Sequence, residues 1–187
     1  NPLANCDTSG VWNGWRFTGI TIPAGRTIIE AHITLRFTSS TLDEPDVTIY
    51  GEDTASPAAF VASNGNISGR TRTTASVDWS NTNAGTGDVN TSDLKTIIQE
   101  LLDSYAYSSG AMVLLMTSRA ASGTRDTSVT SFDGSSVNCA RLSITYNAIT
   151  PQAVGGTLST AGALLNKAKK IVSGALTSSG IVATARR

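Results

Sequence analysis

Ile29-Glu30-Ala31-His32-Ile33-Thr34-Leu35-Arg36-Phe37 alternates without a break. Ile29, Ala31, Ile33, Leu35 and Phe37 fall on one face. Glu30, His32, Thr34, Arg36 and Thr38 fall on the other. A period of two over this length is the pattern of a half-buried β-strand. The pattern returns on both sides of it. Val11 to Ile22 carries Trp12, Trp15, Phe17, Ile20 and Ile22, then turns at Pro23-Ala24-Gly25. Asp46 to Tyr50 alternates through Val47 and Ile49, and Arg70 to Trp79 reads as a polar strand. Ala111 to Met116 is continuously apolar, as a strand covered on both faces would be. Val129 to Phe132 and Ala140 to Tyr146 complete the set, with Leu142, Ile144 and Tyr146 sharing a face.

One helix interrupts the strands. Leu94, Ile97, Ile98, Leu101 and Leu102 recur at helical spacing and stop near Asp103. Thr91 or Ser92 is placed to cap it, with Asp93 near its positive end. Many short strands, one helical crossover and frequent turn residues predict an all-β, antiparallel sandwich with one inserted helix, with a jelly roll as the preferred topology. Pro151 divides the chain into a body, residues 1–150, and a C-terminal tail, residues 151–187.

The tail repeats itself. Val154-Gly155-Gly156-Thr157-Leu158-Ser159-Thr160-Ala161-Gly162-Ala163-Leu164 returns at a constant offset as Val172-Ser173-Gly174-Ala175-Leu176-Thr177-Ser178-Ser179-Gly180-Ile181-Val182. Two short copies cannot enclose a core, so they need a surface from elsewhere, most simply a neighbouring copy of the chain. As a strand, Val154, Gly156, Leu158, Thr160, Gly162 and Leu164 share one face. Leu164, Leu165, Ala168, Ile171 and Val172 instead fall at helical spacing. Either way Val154, Leu158, Leu164, Leu165, Ile171, Val172, Leu176, Ile181 and Val182 are the expected assembly contacts.

Charge divides at the same point. The chain is neutral, yet the tail holds Lys167, Lys169, Lys170, Arg186 and Arg187 and no acid, leaving residues 1–150 at −5. An acidic body and a basic, apolar tail suit head-to-tail joining. Five cations set among Leu, Ile and Val make a poor phosphate track, so nucleic acid is not expected as a partner. Asp43, Glu44, Asp46, Glu52 and Asp53 cluster around one strand. A solvated face is the ordinary reading of such a cluster, a docking face for the tail is another, and Ca²⁺ is a third. No cofactor is otherwise implied.

Charged residues are only 15% of the chain, whereas Ser and Thr number 49, a balance suited to extracellular β-rich modules. No apolar run is long enough for a membrane helix. No signal peptide is seen and the first residue is not Met, so the natural N-terminus is expected to have been removed or to lie upstream. Cys6 and Cys139 stand at opposite ends of the body and form the one available disulfide pair, which would need an oxidising compartment. Asn66-Ile67-Ser68 and Asn90-Thr91-Ser92 match the glycosylation acceptor pattern.

Little suggests catalysis. His32 is the sole histidine and sits on a polar strand face, and no nucleophile, zinc or phosphate-loop motif occurs. Trp12, Trp15 and Trp79, with Tyr105 and Tyr107, offer stacking surfaces for sugar or, more ordinarily, core. Trp12 and Trp15 have odd separation and so point to opposite faces of a regular strand.

These segments carry a resemblance. Phe17-x-x-Ile20-x-Ile22-Pro23-Ala24-Gly25, followed by the Ile29–Phe37 strand, is similar to the opening of bacterial surface jelly-roll modules of the DNRLRE and carbohydrate-binding-module type. Ala140 to Tyr146 resembles their closing strand, and Asp93 to Glu100 and Ser131 to Ser136 resemble segments of related bacterial and phage proteins. The tail is similar to repeats that follow such modules, and the whole layout resembles protomers of jelly-roll extracellular fibrils. The resemblance implies a non-enzymatic subunit of an extracellular or surface fibril that polymerises through its tail. Its other implication is a glycan-binding module of a bacterial surface or phage tail protein.

Overall fold

A computed structural model describes residues 3–5, 10–38, 45–80, 86–119, 128–132 and 134–147. The strands, in chain order, are β1 (Leu3–Asn5), β2 (Trp12–Ile22), β3 (Ile28–Phe37), β4 (Asp46–Glu52), β5 (Arg72–Ser80), β6 (Gly87–Asn90), β7 (Tyr107–Ser118), β8 (Ser128–Thr130) and β9 (Arg141–Tyr146). A single helix, α1 (Lys95–Ser104), lies between β6 and β7. All strand pairings are antiparallel. One sheet runs β1-β8-β3-β6, with β9 also on β3, and the other runs β2-β7-β4-β5. The protein is an all-β sandwich with one helix.

Alternation decides what the sheets bury. Ala31, Ile33, Leu35 and Phe37 of β3 are fully buried, facing Val47 and Ile49 of β4 and Met112, Leu114 and Met116 of β7. Ile29 departs from the expected face and is 55% exposed, and Ile28 is buried in its place. The cause is an irregularity in the β3–β9 ladder, where Ile28 pairs with Tyr146 but Glu30 pairs with Thr145. One residue gained on β3 reverses the facing of what precedes it.

α1 buries Ile97, Ile98, Leu101 and Leu102, as its spacing predicts, and Leu94 just before it is equally buried. Its cap differs from expectation. Leu94 occupies the N-cap position without a side-chain cap. Thr91 instead extends the β6–β3 ladder, its amide donating to Ile33 O and its Oγ1 accepting from Ile33 N. Ser92 Oγ donates to Asp78 O on β5. Asp93 supplies the acceptor, with Oδ1 receiving the amides of Lys95 and Ala31 at 3.0 Å each. Burial alone would raise the Asp93 pKa, but those amides together with the Lys95 ammonium outweigh it and hold the carboxyl below its usual range.

The helix closes one side of the sandwich. Glu100 accepts from the amides of Thr74 and Ala75 on edge strand β5, at 2.7 and 2.6 Å. Gln99 accepts from Ile28 N on β3 at 2.8 Å. The two sheets are thereby bridged through adjacent helical residues. Gly51 permits the close approach, since a Cβ there would meet Leu101 Cδ1 at 2.8 Å and Ile97 Cγ2 at 3.0 Å.

Candidate assembly surface

The side opposite α1 is finished differently. There β2 is the edge of its sheet and pairs only with β7, while β9 pairs only with β3 among the described residues. The side chains that face inward along these strands are Trp15, Phe17 and Ile20 of β2 and Leu142, Ile144 and Tyr146 of β9. They pack against the core but stay only partly buried. Beyond them Phe132 is 70% exposed and Val137 77% exposed. A cavity of about 290 Å³ lies along the β2 edge, lined by Gly14, Trp15 and Arg16 as its floor and by Phe60 and Phe132 among its walls. The edge is regular from Trp12 to Thr18, after which the register shifts between Thr18 and Ile20 and again between Ile20 and Ile22. Such irregularities blunt an edge against further pairing, so the regular stretch is the part still suited to accept a strand.

The outer face of the same sheet is covered. Residues 53–71, between β4 and β5, lie against it at Gly14 and Arg16, and the β7 partners of those residues, Leu115 and Val113, are fully buried, in keeping with the continuously apolar run. Phe60 lies against Gly14, where a Cβ would come within 2.6 Å of Phe60 Cζ. Arg70 pins the loop. It pairs with Glu52, donates to Asn66 O, Ala58 O and Ala59 O, and stacks over Phe60 at 4.5 Å. The two paired side chains are only 8% and 12% exposed, so each charge depends on the other. Arg16 Nε adds a bond to Pro57 O. A covering loop of this kind leaves no trace in hydrophobic periodicity, because it contains no helix or strand.

Beside that loop, Trp12 stacks on Tyr50 at 6.3 Å, and Arg72 lies over both rings at 4.9 and 5.6 Å. A cavity of about 670 Å³ opens between Trp12 and the loop, lined by Phe60, Ser63, Asn64, Asn66 and Ser68 among others. Trp12 and Trp15 take opposite faces, as their odd spacing predicts, with only Trp15 packed on the main core. The aromatics expected to act together do not meet. Trp79 is buried against Phe37 at 6.2 Å, and Tyr107 is 2% exposed. Burial pushes the Tyr107 hydroxyl up to about 12. Tyr105 donates to Asp53 Oδ1 at 2.8 Å, which raises its own pKa.

The acidic residues are also separated. Asp46 lies at one end of β4, beside Arg119, while Glu52 and Asp53 lie at the other, beside Arg70 and Tyr105. Seven residues of strand span about 20 Å. Asp43 and Glu44 lie outside the described residues. Among the described residues no group of three or more His, Cys, Asp or Glu could hold a metal ion. The same residues contain no helix long and apolar enough to cross a membrane.

Polar clamps hold the first sheet together. Asp88 of β6 accepts from Arg141 of β9 and Arg36 of β3, and these bonds hold its carboxyl below the usual range. His32 Nε2 lies 2.9 Å from Glu30 Oε1 and its Nδ1 lies 2.9 Å from Thr91 O. Both neighbours are acceptors, so the doubly protonated ring satisfies both. The bond to Glu30 raises the His32 pKa despite the opposing effect of burial, helped by Thr91 O and by the charge of Asp93.

Cys139 Sγ donates to Ser136 O at 3.3 Å. Cys6 lies outside the described residues, and the expected pairing with it. Asn66 Oδ1 accepts from Val61 N, and Asn90 Oδ1 accepts from Thr34 Oγ1 on the β6–β3 ladder. The tail contacts, from Val154 to Val182 with Lys167, Lys169 and Lys170, also lie outside the described residues. Comparison with known proteins returns no matching family model, no matching curated protein and no matching solved structure.

Proposed function

We propose that this protein is a non-catalytic structural subunit of an extracellular filament, built on a jelly-roll body and joined to neighbouring copies through its C-terminal tail. Strand order supports the jelly roll. β1 pairs with β8, β2 with β7, β3 with β6 and β4 with β5, the nesting obtained when one long antiparallel ribbon is rolled up. Composition supports the extracellular setting, in which Cys139 would exchange its thiol hydrogen bond to Ser136 O for a disulfide with Cys6.

One observation carries the assembly reading. The helix side of the body is sealed, whereas on the other side the described residues leave β2 and β9 each paired on one edge only, with six partly exposed apolar side chains behind them. Natural sandwiches cover or blunt such edges unless they are used. The chain continues past β9 with an apolar, basic repeat that needs a surface. Negative-stain electron microscopy of the full chain tests this reading directly. Filaments should form, and a chain ending at Thr150 should remain a folded monomer. A full chain that stays monomeric at high concentration would overturn the proposal.

A second reading has its own support. The 670 Å³ cavity combines aromatic, amide and hydroxyl lining in the way that a small saccharide would require. Binding of oligosaccharides by the full chain, lost in Trp12→Ala with filament formation intact, would establish a glycan-binding role.

A further inference from the structure

We infer that the edge of β2 from Gly14 to Thr18, unpaired among the described residues, is the acceptor for a tail repeat from a neighbouring copy, which adds to the sheet as an extra strand. The inference rests on the assembly reading above and names the surface that reading leaves unassigned. Its first support is the edge itself. A strand paired on one side offers a row of backbone donors and acceptors to any extended segment. This row is interrupted only after Thr18, and Arg16 is its single charged residue.

The second support is the groove around it. A strand laid beside Gly14–Thr18 would have the 290 Å³ cavity against its side chains, between Phe60 on the outer face and Phe132 towards the other sheet. Its inward face would meet Trp15, Phe17, Leu142 and Ile144, the residues that the body leaves partly wet. Main-chain bonds would supply affinity, and the alternate side chains would supply register.

The third support is the fit of the occupant. Each repeat is 11 residues long, as is β2. One face of the first repeat reads Val154, Gly156, Leu158, Thr160, Gly162, Leu164. The same face of the second reads Val172, Gly174, Leu176, Ser178, Gly180, Val182. The opposite faces carry only small or polar residues, except for Ile181. A strand with one apolar and one small, polar face is what an edge position with a single buried side requires. The chain has two such segments and one groove of this kind among its described residues.

Photocross-linking tests the inference in the full chain. p-Benzoylphenylalanine is placed at Thr18, which is exposed, and the labelled protein is assembled with an equal amount of ¹⁵N-labelled chain. The expected product joins Thr18 to residues 154–164 or 172–182 of the other isotopic chain. Filaments that form with cross-links only to other surfaces, or only within one chain, overturn the inference and leave the assembly reading standing. Absence of filaments overturns that reading itself. Phe132→Asp is the second measurement. It should raise the critical concentration for assembly at least tenfold with the melting temperature unchanged, since Phe132 is exposed in the subunit. An unchanged critical concentration would remove the groove from the interface.

Discussion

The two long sides of the sandwich are made from similar strands and finished in opposite ways. On one, α1 lays Ile97, Ile98 and Leu101 across the gap with no exposure at all, and its Gln99 and Glu100 satisfy amides of both sheets. On the other, β2 and β9 end in unpaired edges among the described residues, and the apolar residues behind them stay partly exposed. Among the described residues the core therefore has one side completed and one that is not. An element that seals an edge needs a continuous apolar stripe and polar groups placed for the edge amides. α1 has both, and nothing described on the β2/β9 side has either.

The contrast can be broken most sharply at Ile98. Ile98→Ala removes a fully buried side chain from the sealed side and should cost about 2–5 kcal/mol of subunit stability, measured by urea unfolding. A loss below about 0.5 kcal/mol would mean that the helix side is not sealed. Glu100→Ala strips two edge amides of a charged acceptor and should cost about 2 kcal/mol. An unchanged midpoint would show that water serves those amides as well as the carboxylate does.

Ile144→Ala sharpens the comparison from the open side. Its side chain is only partly buried, so the dissociated subunit should lose about 1 kcal/mol, clearly less than for Ile98→Ala. Filament formation should suffer far more than the subunit does, seen as a raised critical concentration. Equal losses at Ile98 and Ile144 would erase the difference between the sides.

The smallest expected effect lies at His32, near the start of the sealed side. Its pKa is raised in the folded state, chiefly by Glu30. Stability from the protonated ring is then fully present below the unfolded value of about 6.5, and is lost as pH rises through the higher folded value. Urea midpoints should fall modestly from pH 6 to pH 8, and Glu30→Gln should flatten that fall. A midpoint that rises over this interval would contradict the sign.

Much of the framework was legible because it rests on short-range patterning. The alternation of Ile33, Leu35 and Phe37 and the helical spacing of Ile97, Ile98 and Leu101 each place a residue by its neighbours alone. Two strands were not legible. Leu3–Asn5 and Gly87–Asn90 are too short to show a period, and they exist because β8 and β3 offer them edges. Thr91 and Ser92 look like caps locally, yet the β3 and β5 backbones compete for them and win. The candidate surface was half legible. The tail repeat is plain in the chain, but its proposed acceptor combines residues as distant as Trp15, Phe60, Phe132 and Ile144.

By itself the sequence determined the β-rich class, the inserted helix, the repeat and the opposition of an acidic body to a basic tail. Periodicity and charge are properties of residues within one or two turns of each other, so they survive without a fold. Only the tertiary structure decided which apolar faces are sealed and which are left open among the described residues, that residues 53–71 lie against the outer face, and that Asp46 and Glu52 stand at opposite ends of β4, each beside its own cation. Burial and edge pairing depend on partners far away in the chain. Ile29 illustrates the limit, since a single irregularity against β9 turned it from core to surface.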